Sequence, residues 1–479
     1  MNPSSLPRSD LRSGSRGLYT RVIAGALFPL HERLKRHRTV AVRAQLELTQ
    51  YWSEAQLEAL QLERLRALLL RAQQKVPYYR TLFASLGFDA ARDVHDLSAL
   101  NRLPLLDKPT IRAQGEALKA DDARDLSRFS TGGSTGEPLI FFIGKQRVSH
   151  DVAAKWRATR WWDVDIGDPE VVLWGSPIEL GAQDRLRLLR DRMLRTELLP
   201  AFETSAAQLD RFLARIRARR PKMMFGYPSV LSLLARHAEA RGLRMDDLGI
   251  RAAFVTSECL YPPQREQIER VFGCGVANGY GGRDAGFIAH QCPAGGMHIT
   301  AEDIIVEMLG PDGQPVPRGE SGEIVVTHLQ TGDYPFIRYR TGDVGALATA
   351  PCSCGRGLPL LKEIKGRTTD FMILADGTVL HSAALAYVMR DMPEVKAFKI
   401  IQETLMLTRL QVVLETPLDE AMHAKLVQGF RKRLGAGVQI DVEQVDAIQP
   451  EKSGKYRYLV SKLDLVSHIE NQGRPEVPA

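Results

Sequence analysis

The sequence predicts an α/β protein: a large domain with a β-rich subdomain, followed by a small α+β domain. Three observations carry that expectation. The middle of the chain alternates short apolar strands with helices. From Ile304 onward the pattern changes to short strands joined by turns such as Pro311-Asp312-Gly313. After Gly366 a hairpin at Asp376-Gly377, a helix, two strands and the helix Asp419 to Leu434 form a unit of their own. With 479 residues, 44% hydrophobic and 25% charged, the composition is that of an ordinary globular protein and provides for more than one core. The expected division is a basic extension over 1–45, a large domain over 46–366 and a small domain over 367–479.

The extension holds much of the basic excess that gives a formal charge of +7, in Arg8, Arg12, Arg16, Arg21, Arg33, Lys35, Arg36, Arg38 and Arg43. No aromatic platforms are interleaved with these cations, so no nucleic-acid partner is expected. Between Leu18 and Leu30 lies an apolar stretch with Val22, Ile23, Ala24, Leu27 and Phe28, interrupted by Arg21 and ended by Pro29, well short of the ~20 residues a membrane span needs. No small-residue cleavage site follows it, and a cytoplasmic location is expected. A basic amphipathic segment of this kind can lie on an anionic membrane face; an ordinary packed helix is the simpler reading. The five cysteines, Cys259, Cys274, Cys292, Cys352 and Cys354, are an odd count that points to reduced thiols or metal ligands.

Ser53 with Gln56 has the form of a capping box, and Leu57, Leu60, Leu65, Leu68 and Leu69 then recur at helical spacing up to Pro77. Phe129 to Pro138 is rich in Ser, Thr and Gly and precedes the apolar Leu139 to Ile143, which reads as a loop beside a strand. Strands are expected over Val171 to Trp174, Lys222 to Phe225 and Ile250 to Thr256. Helices are expected over Ala206 to Arg219 and Pro263 to Phe272, the latter closed by Gly273.

The strongest local signal is Ser130-Thr131-Gly132-Gly133-Ser134-Thr135-Gly136-Glu137-Pro138. Small residues let backbone N–H groups approach phosphate oxygens, and the hydroxyls add donors. It is not a Walker loop, because no Gly-Lys-Ser/Thr closes it. Downstream lie Gly279-Tyr280-Gly281-Gly282-Arg283-Asp284, Arg340-Thr341-Gly342-Asp343, Gly366-Arg367-Thr368-Thr369-Asp370 and Ser453-Gly454-Lys455.

In that order these segments resemble the motifs of the adenylate-forming superfamily. Val76-Pro77-Tyr78-Tyr79-Arg80, Leu103-Pro104-Leu105-Leu106-Asp107-Lys108 and the Cys352–Cys354 pair resemble the branch containing phenylacetate-coenzyme A ligase, and within it most of all the CapK-like capsular polysaccharide biosynthesis proteins. The resemblance implies a multi-subdomain adenylation domain with a mobile C-terminal lid, using ATP and magnesium. It implies that the Ser130 to Gly136 loop cradles phosphates, that Gly281 is among the nucleotide-binding residues, that Tyr280 stacks near adenine and that Asp343 grips the ribose hydroxyls. Asp284 would hold Mg2+, Arg367 would contact ribose or phosphate, and Lys455 would bridge the acid and the α-phosphate. Ser257 and Glu258 are expected beside Tyr280 in the adenine pocket. Asp284 stands where Glu is usual, and Thr369 where a hinge Asp is common, which shifts the expected pivot toward Asp370.

Trp174, Phe225 and Tyr227 sit at strand ends, where pockets form in α/β folds, and either line an aryl-sized cavity or pack the core. Cys292, His298, Cys352 and Cys354 supply a Cys₃His set of the kind that closes structural Zn2+ sites, with His290 as the rival fourth ligand. Cys259 and Cys274 read as small core residues.

The expected reaction is ATP-dependent activation of a carboxylic acid to an acyl-adenylate, followed by transfer to a thiol, coenzyme A first among candidates. The alternative acceptor is an amine or hydroxyl in cell-surface polysaccharide or secondary-metabolite biosynthesis. A nucleotide-binding scaffold without catalysis is the reading from a different class. A homodimer is common in the resembling branch.

Overall fold

The computed structural model describes residues 17–130, 139–174, 185–201, 203–258, 260, 262–310, 312–365, 371–376, 378–381, 385, 388–389, 392, 394–414, 416–448 and 459–463. Thr131 to Gly136, Cys259, Arg367, Thr369, Asp370 and Lys455 lie outside them. The strands in chain order are β1 (Ser127–Ser130), β2 (Ile140–Ile143), β3 (Glu170–Trp174), β4 (Thr196–Pro200), β5 (Glu203–Thr204), β6 (Met223–Gly226) and β7 (Ala252–Thr256). They continue with β8 (Gly275–Gly282), β9 (Gly286–Gln291), β10 (Met297–Ile299), β11 (Ile304–Leu309), β12 (Ser321–His328), β13 (Tyr339–Leu347) and β14 (Leu360–Lys365). The C-terminal unit holds β15 (Phe371–Ile373), β16 (Val379–His381), β17 (Val395–Thr404), β18 (Leu407–Leu414), β19 (Gln439–Gln444) and β20 (Leu459–Ser461).

One sheet of 11 strands organises the large domain, in the order β11-β12-β13-β14-β10-β9-β8-β7-β6-β3-β4. From β4 to β8 the pairing is parallel; from β8 to β11 it is antiparallel. The β-rich portion is therefore hydrogen-bonded into the same sheet, and its antiparallel pairing starts at Gly286, earlier than the change of pattern at Ile304.

Parallel strands buried on both faces read as apolar runs. Val171, Leu173, Met224, Ala253 and Val255 pack on one face against Leu209, Phe212, Leu231, Leu234 and Ile268 of the helices Ala206–Arg219, Pro228–Ala240 and Pro262–Phe272. Met223, Phe254 and Ala277 pack on the other face against Ala158 and Val164. Ser53 and Gln56 form the expected capping box at the start of the helix Glu54–Lys75. Gly273, with φ +60, ends Pro262–Phe272 in the left-handed region.

Leu18–Val22, a π turn over Ile23–Leu27 and Phe28–Leu34 form one helical segment. Pro29 has no N–H to give, and the Phe28 N–H reaches five residues back to the Ile23 carbonyl. The helix Thr39–Thr49 runs across position 45 and packs on the helix Lys145–Arg160. There Arg157 donates to Glu302 at 2.6 Å and to the Leu46 carbonyl at 3.2 Å, with Thr49 also donating to Glu302 at 2.7 Å. Arg157 and Glu302 are both buried, so each neutralises a charge that would otherwise be costly to desolvate.

The C-terminal unit has its own core, in which Leu380, Ile400, Leu410, Val412, Leu426 and Phe430 are fully buried. Its four-stranded sheet runs β19-β18-β17-β20, and its β15-β16 hairpin pairs with β5 of the large domain.

Candidate active site

The turn from β8 into β9 presents the aromatic motif. Gly281 has φ +153, and a Cβ there would meet the Gly286 carbonyl oxygen at 2.2 Å, so only glycine fits. The Tyr280 hydroxyl lies 3.0 Å from Asp343 Oδ2 and 3.5 Å from Thr341 Oγ1. In the opposite direction the Tyr339 hydroxyl donates to Asp284 Oδ2 at 2.6 Å, while the Ala285 N–H donates to Asp284 Oδ1 at 3.1 Å. Thr341 donates to the Ile324 carbonyl at 2.8 Å and accepts from the Asp343 N–H at 3.1 Å. Two separated motifs thus converge at the carboxyl ends of the parallel strands, where α/β sheets bind ligands. The half-buried Asp284 offers carboxylate oxygens of the kind that hard divalent cations take.

A buried brace holds the β8–β9 turn from behind. Arg147 donates to the Arg283 carbonyl at 2.6 Å and to Asp151 at 3.3 Å. The Gln330 N–H donates to His328 Nδ1 at 3.3 Å, which places the ring proton on Nε2, 3.4 Å from Asp151 Oδ1. Burial opposes ionisation of Asp151, but the charge of Arg147 and the His328 hydrogen bond hold its pKa below the usual carboxylate range. Burial depresses the pKa of His328 and favours the neutral ring that this pattern requires.

The strand carrying Tyr339 and Asp343 and the segment leading into it are buttressed by two of the branch-specific motifs, Val76 to Arg80 and Leu103 to Lys108. The buried Tyr79 hydroxyl donates to the Pro335 carbonyl at 3.2 Å and accepts from the Ile337 N–H at 3.4 Å. The Leu106 N–H donates to the Arg338 carbonyl, and the Arg340 N–H to the Leu106 carbonyl, each at 2.9 Å.

Ser130 ends β1, whose antiparallel partner β2 starts at Ile140, so these two strands flank the Ser/Thr/Gly-rich sequence. Ser257, just after β7, holds φ +73, an uncommon conformation for a residue with a side chain. Glu258 accepts from the Ser229 N–H at 3.3 Å, at the start of the helix Pro228–Ala240. Trp174 stacks on Tyr227 at 4.5 Å and on Phe225 at 5.8 Å between ring centroids, and Lys155 Nζ stands 4.1 Å over the Phe225 ring. The three aromatic residues therefore form one stack, with Tyr227 buried.

Cys292, His298, Cys352 and Cys354 have ligand atoms that all lie within 4.8 Å of one another. Cys292 Sγ is 3.6 Å from Cys352 Sγ, and Cys354 Sγ is 3.2 Å from His298 Nε2. Tetrahedral zinc with ~2.3 Å sulfur bonds sets its ligand atoms roughly 3.5–3.8 Å apart; the Cys292–Cys352 pair has that spacing, and the other ligand atoms need only small shifts to reach it. A Cβ on Gly296 would meet Cys352 Sγ at 2.5 Å, so glycine is what lets the two loops close. Burial, then the neighbouring Cys354, pushes the Cys292 thiol up to about 12, a penalty that a bound cation reverses. His290 instead stacks on Phe287 at 5.5 Å. Cys274 is buried in the α/β core, and burial raises its thiol to about 12.

Sequence reasoning did not single out Tyr339, Arg147, Asp151 or His328. Tyr339 directly precedes the Arg340 to Asp343 motif, which was the available signal. Arg147 and Asp151 are one helical turn apart, a spacing shared with countless surface ion pairs.

The sheet, the Tyr280–Asp343 and Tyr339–Asp284 contacts and the second α+β unit form the arrangement expected of an adenylate-forming ligase. Residues 129–332 match the AMP-binding enzyme family and residues 372–462 the CapK C-terminal domain. These two matches, with the relatives below, support the assignment to adenylate-forming, AMP-binding enzymes of the phenylacetate-coenzyme A ligase-like and CapK-like kind. It is 27% identical to the phenylacetate-coenzyme A ligase of Thermus thermophilus, over 82% of this chain and 86% of that one. It is 23% identical to Protein CapK of Staphylococcus aureus, over 76% and 80% of the two chains. A 2-hydroxyisobutyryl-CoA ligase solved with its acyl-adenylate and CoA shares the fold, with TM-score 0.60, 21% identity and 88% and 93% coverage.

Proposed function

We propose that this protein transfers the AMP of ATP to a carboxylic acid, giving an acyl-adenylate and pyrophosphate, and then passes the acyl group to the thiol of coenzyme A, releasing AMP. The contact of Tyr280 with Asp343 carries this reading: one residue suited to the adenine face and one suited to ribose hydroxyls stand 3.0 Å apart. Ser130 to Gly136 would hold the phosphates, with Ser257 and Glu258 beside the base and Gly281 opening room for the nucleotide. Asp284 would hold Mg2+, which neutralises phosphate charge as the carboxylate approaches. Arg367 and Lys455 would supply cations at the ribose and at the reacting α-phosphate, and rotation near Thr369 and Asp370 would exchange the two half-reactions. Trp174, Phe225 and Tyr227 would offer an aromatic wall to the acid. Cys292, His298, Cys352 and Cys354 would hold a structural Zn2+ ion.

A second reading rests on the resemblance to CapK-like capsular polysaccharide biosynthesis proteins: the acceptor would be an amine or hydroxyl on a cell-surface sugar precursor. Pyrophosphate release over a panel of aryl, fatty and amino acids tests the first half-reaction. Lys455→Ala should reduce it roughly 10²–10³-fold, the cost of losing a transition-state charge contact. Coenzyme A consumption in a parallel arm separates the two acceptors. ATP binding with no release for any acid would mean either that the substrate lies outside the panel or that the protein is a non-catalytic scaffold.

A further inference from the structure

The helical segment from Leu18 to Leu34 is built inside out. Its inward side carries polar residues beside Ile23 and Phe28: Thr20 donates to Asp168 at 2.8 Å, and Glu32 accepts from Thr39 and sits 3.1 and 3.2 Å from His31 and His37. Its outward side carries Leu18, Val22, Leu30 and Leu34, exposed to 78, 47, 55 and 77%. A helix that merely covers a core turns its apolar stripe inward; this one satisfies its polar groups inside and presents leucines to solvent.

The helix Arg185–Leu194 extends the same surface. The Tyr19 hydroxyl donates to the Met193 carbonyl at 2.8 Å, and the Arg195 guanidinium lies 4.4 Å over the Tyr19 ring. Leu189 and Met193 are exposed there. Of the 13 large hydrophobic side chains exposed among the described residues, eight lie on these two helical segments, so the apolar exposure is gathered in one place. The rim is cationic: Arg21, Arg33, Lys35 and Arg192 are exposed. Glu32 is the sole carboxylate within residues 17–38, and it is buried and occupied.

We infer that this two-helix ridge docks the protein on the anionic face of a lipid bilayer, leucines entering the acyl boundary and arginines meeting headgroup phosphates. A second copy of the chain is the poorer occupant. A two-fold contact through the ridge sets Arg21, Arg33 and Lys35 against their own kind with no exposed carboxylate from residues 17–38 to pair them. A bilayer supplies the missing negative charge.

The full-length protein is sedimented with vesicles of phosphatidylcholine alone and with vesicles containing phosphatidylglycerol. Wild type is expected to partition onto the anionic vesicles, less so at high salt. Changing Leu18, Val22, Leu30 and Leu34 together to Ser should reduce that partition by about a hundredfold, because each loses several buried methylenes. Arg21→Glu with Arg33→Glu should reduce it at least fivefold per position, roughly the worth of one basic residue near an anionic surface. Thermal melting and pyrophosphate release should stay at wild-type values in both variants, since these side chains point away from the body. Wild type that ignores anionic vesicles, or a leucine variant that still binds them, overturns the inference. So does a wild-type dimer that the leucine variant converts to monomer without any vesicle binding, which assigns the ridge to self-association.

Discussion

Tyr280 and Asp343 touch although β9, β10 and β14 lie between their strands in the sheet. Strands in a sheet are ~4.8 Å apart, so four steps across a flat sheet are roughly 19 Å, too far for a tyrosine to span. The antiparallel half must therefore curl over the ends of the parallel strands. The reciprocal contact of Tyr339 with Asp284 at 2.6 Å ties the curl a second time.

Tyr280→Phe removes the hydroxyl from Asp343 and leaves the ring. A hydrogen bond to a charged group is worth about 1.5–3 kcal/mol, so the KM for ATP should rise about tenfold or more while kcat changes little. Steady-state pyrophosphate release against ATP concentration reads this, and a thermal melt close to wild type excludes unfolding as the cause.

Tyr339→Phe frees one oxygen of Asp284. The expected outcome is a shifted magnesium requirement with the fold intact. Asp284→Asn should lower kcat by roughly 10²–10³, as for other lost transition-state contacts. Equal magnesium titrations for wild type and Tyr339→Phe would argue against a cation at Asp284.

Elemental analysis of the purified protein should find zinc in equimolar amount, and Cys352→Ser with Cys354→Ser should abolish it. The melting temperature should fall in the same variant. Zinc that persists there would place the metal elsewhere.

Acid sensitivity should begin above the carboxylate range. His290 is buried beside Phe254 and Phe287, and burial first, then the charges of Arg157 and Lys155, lower its pKa to about 3. An unfolded histidine titrates near ~6.5, so between these values the unfolded chain binds the extra proton and stability drops as pH falls. Asp303, held at about 2 against burial by His150 and Arg64, adds a second loss as pH falls below the ordinary aspartate range toward that value. Urea unfolding of wild type should weaken steadily from pH 7 to pH 5, and His290→Gln should show a flatter dependence over that interval.

Glu302→Gln leaves Arg157 as a buried cation without its counter-charge. Breaking one partner of a buried pair costs about 3–5 kcal/mol, which denaturant titration resolves easily.

Local periodicity and turn chemistry made much of this legible in the sequence. Ala206–Arg219 has the bounds its apolar spacing predicts, and Ser53 with Gln56 caps as read. The pairing of Tyr280 with Asp343 was not legible, because it depends on a curl that no short-range pattern encodes. Tyr79 looked like part of a branch motif, and only the structure shows it holding the Pro335–Ile337 backbone that leads into β13. The segment from Leu18 to Leu34 packs as a helix with Ile23 and Phe28 buried, but composition does not say which of its sides faces inward.

The four clustered ligands also have a meaning in terms of chain entropy. Cys292 and His298 precede the antiparallel excursion that carries Tyr339 and Asp343, and Cys352 and Cys354 follow it. A metal across them turns residues 298–352 into a closed ring. By analogy with a disulfide closing roughly fifty residues, that ring removes up to about 4 kcal/mol of unfolded-state freedom. The part of β13 proposed to meet the nucleotide would then hang from a tied neck, so demetallation should be felt first as slack at Asp343.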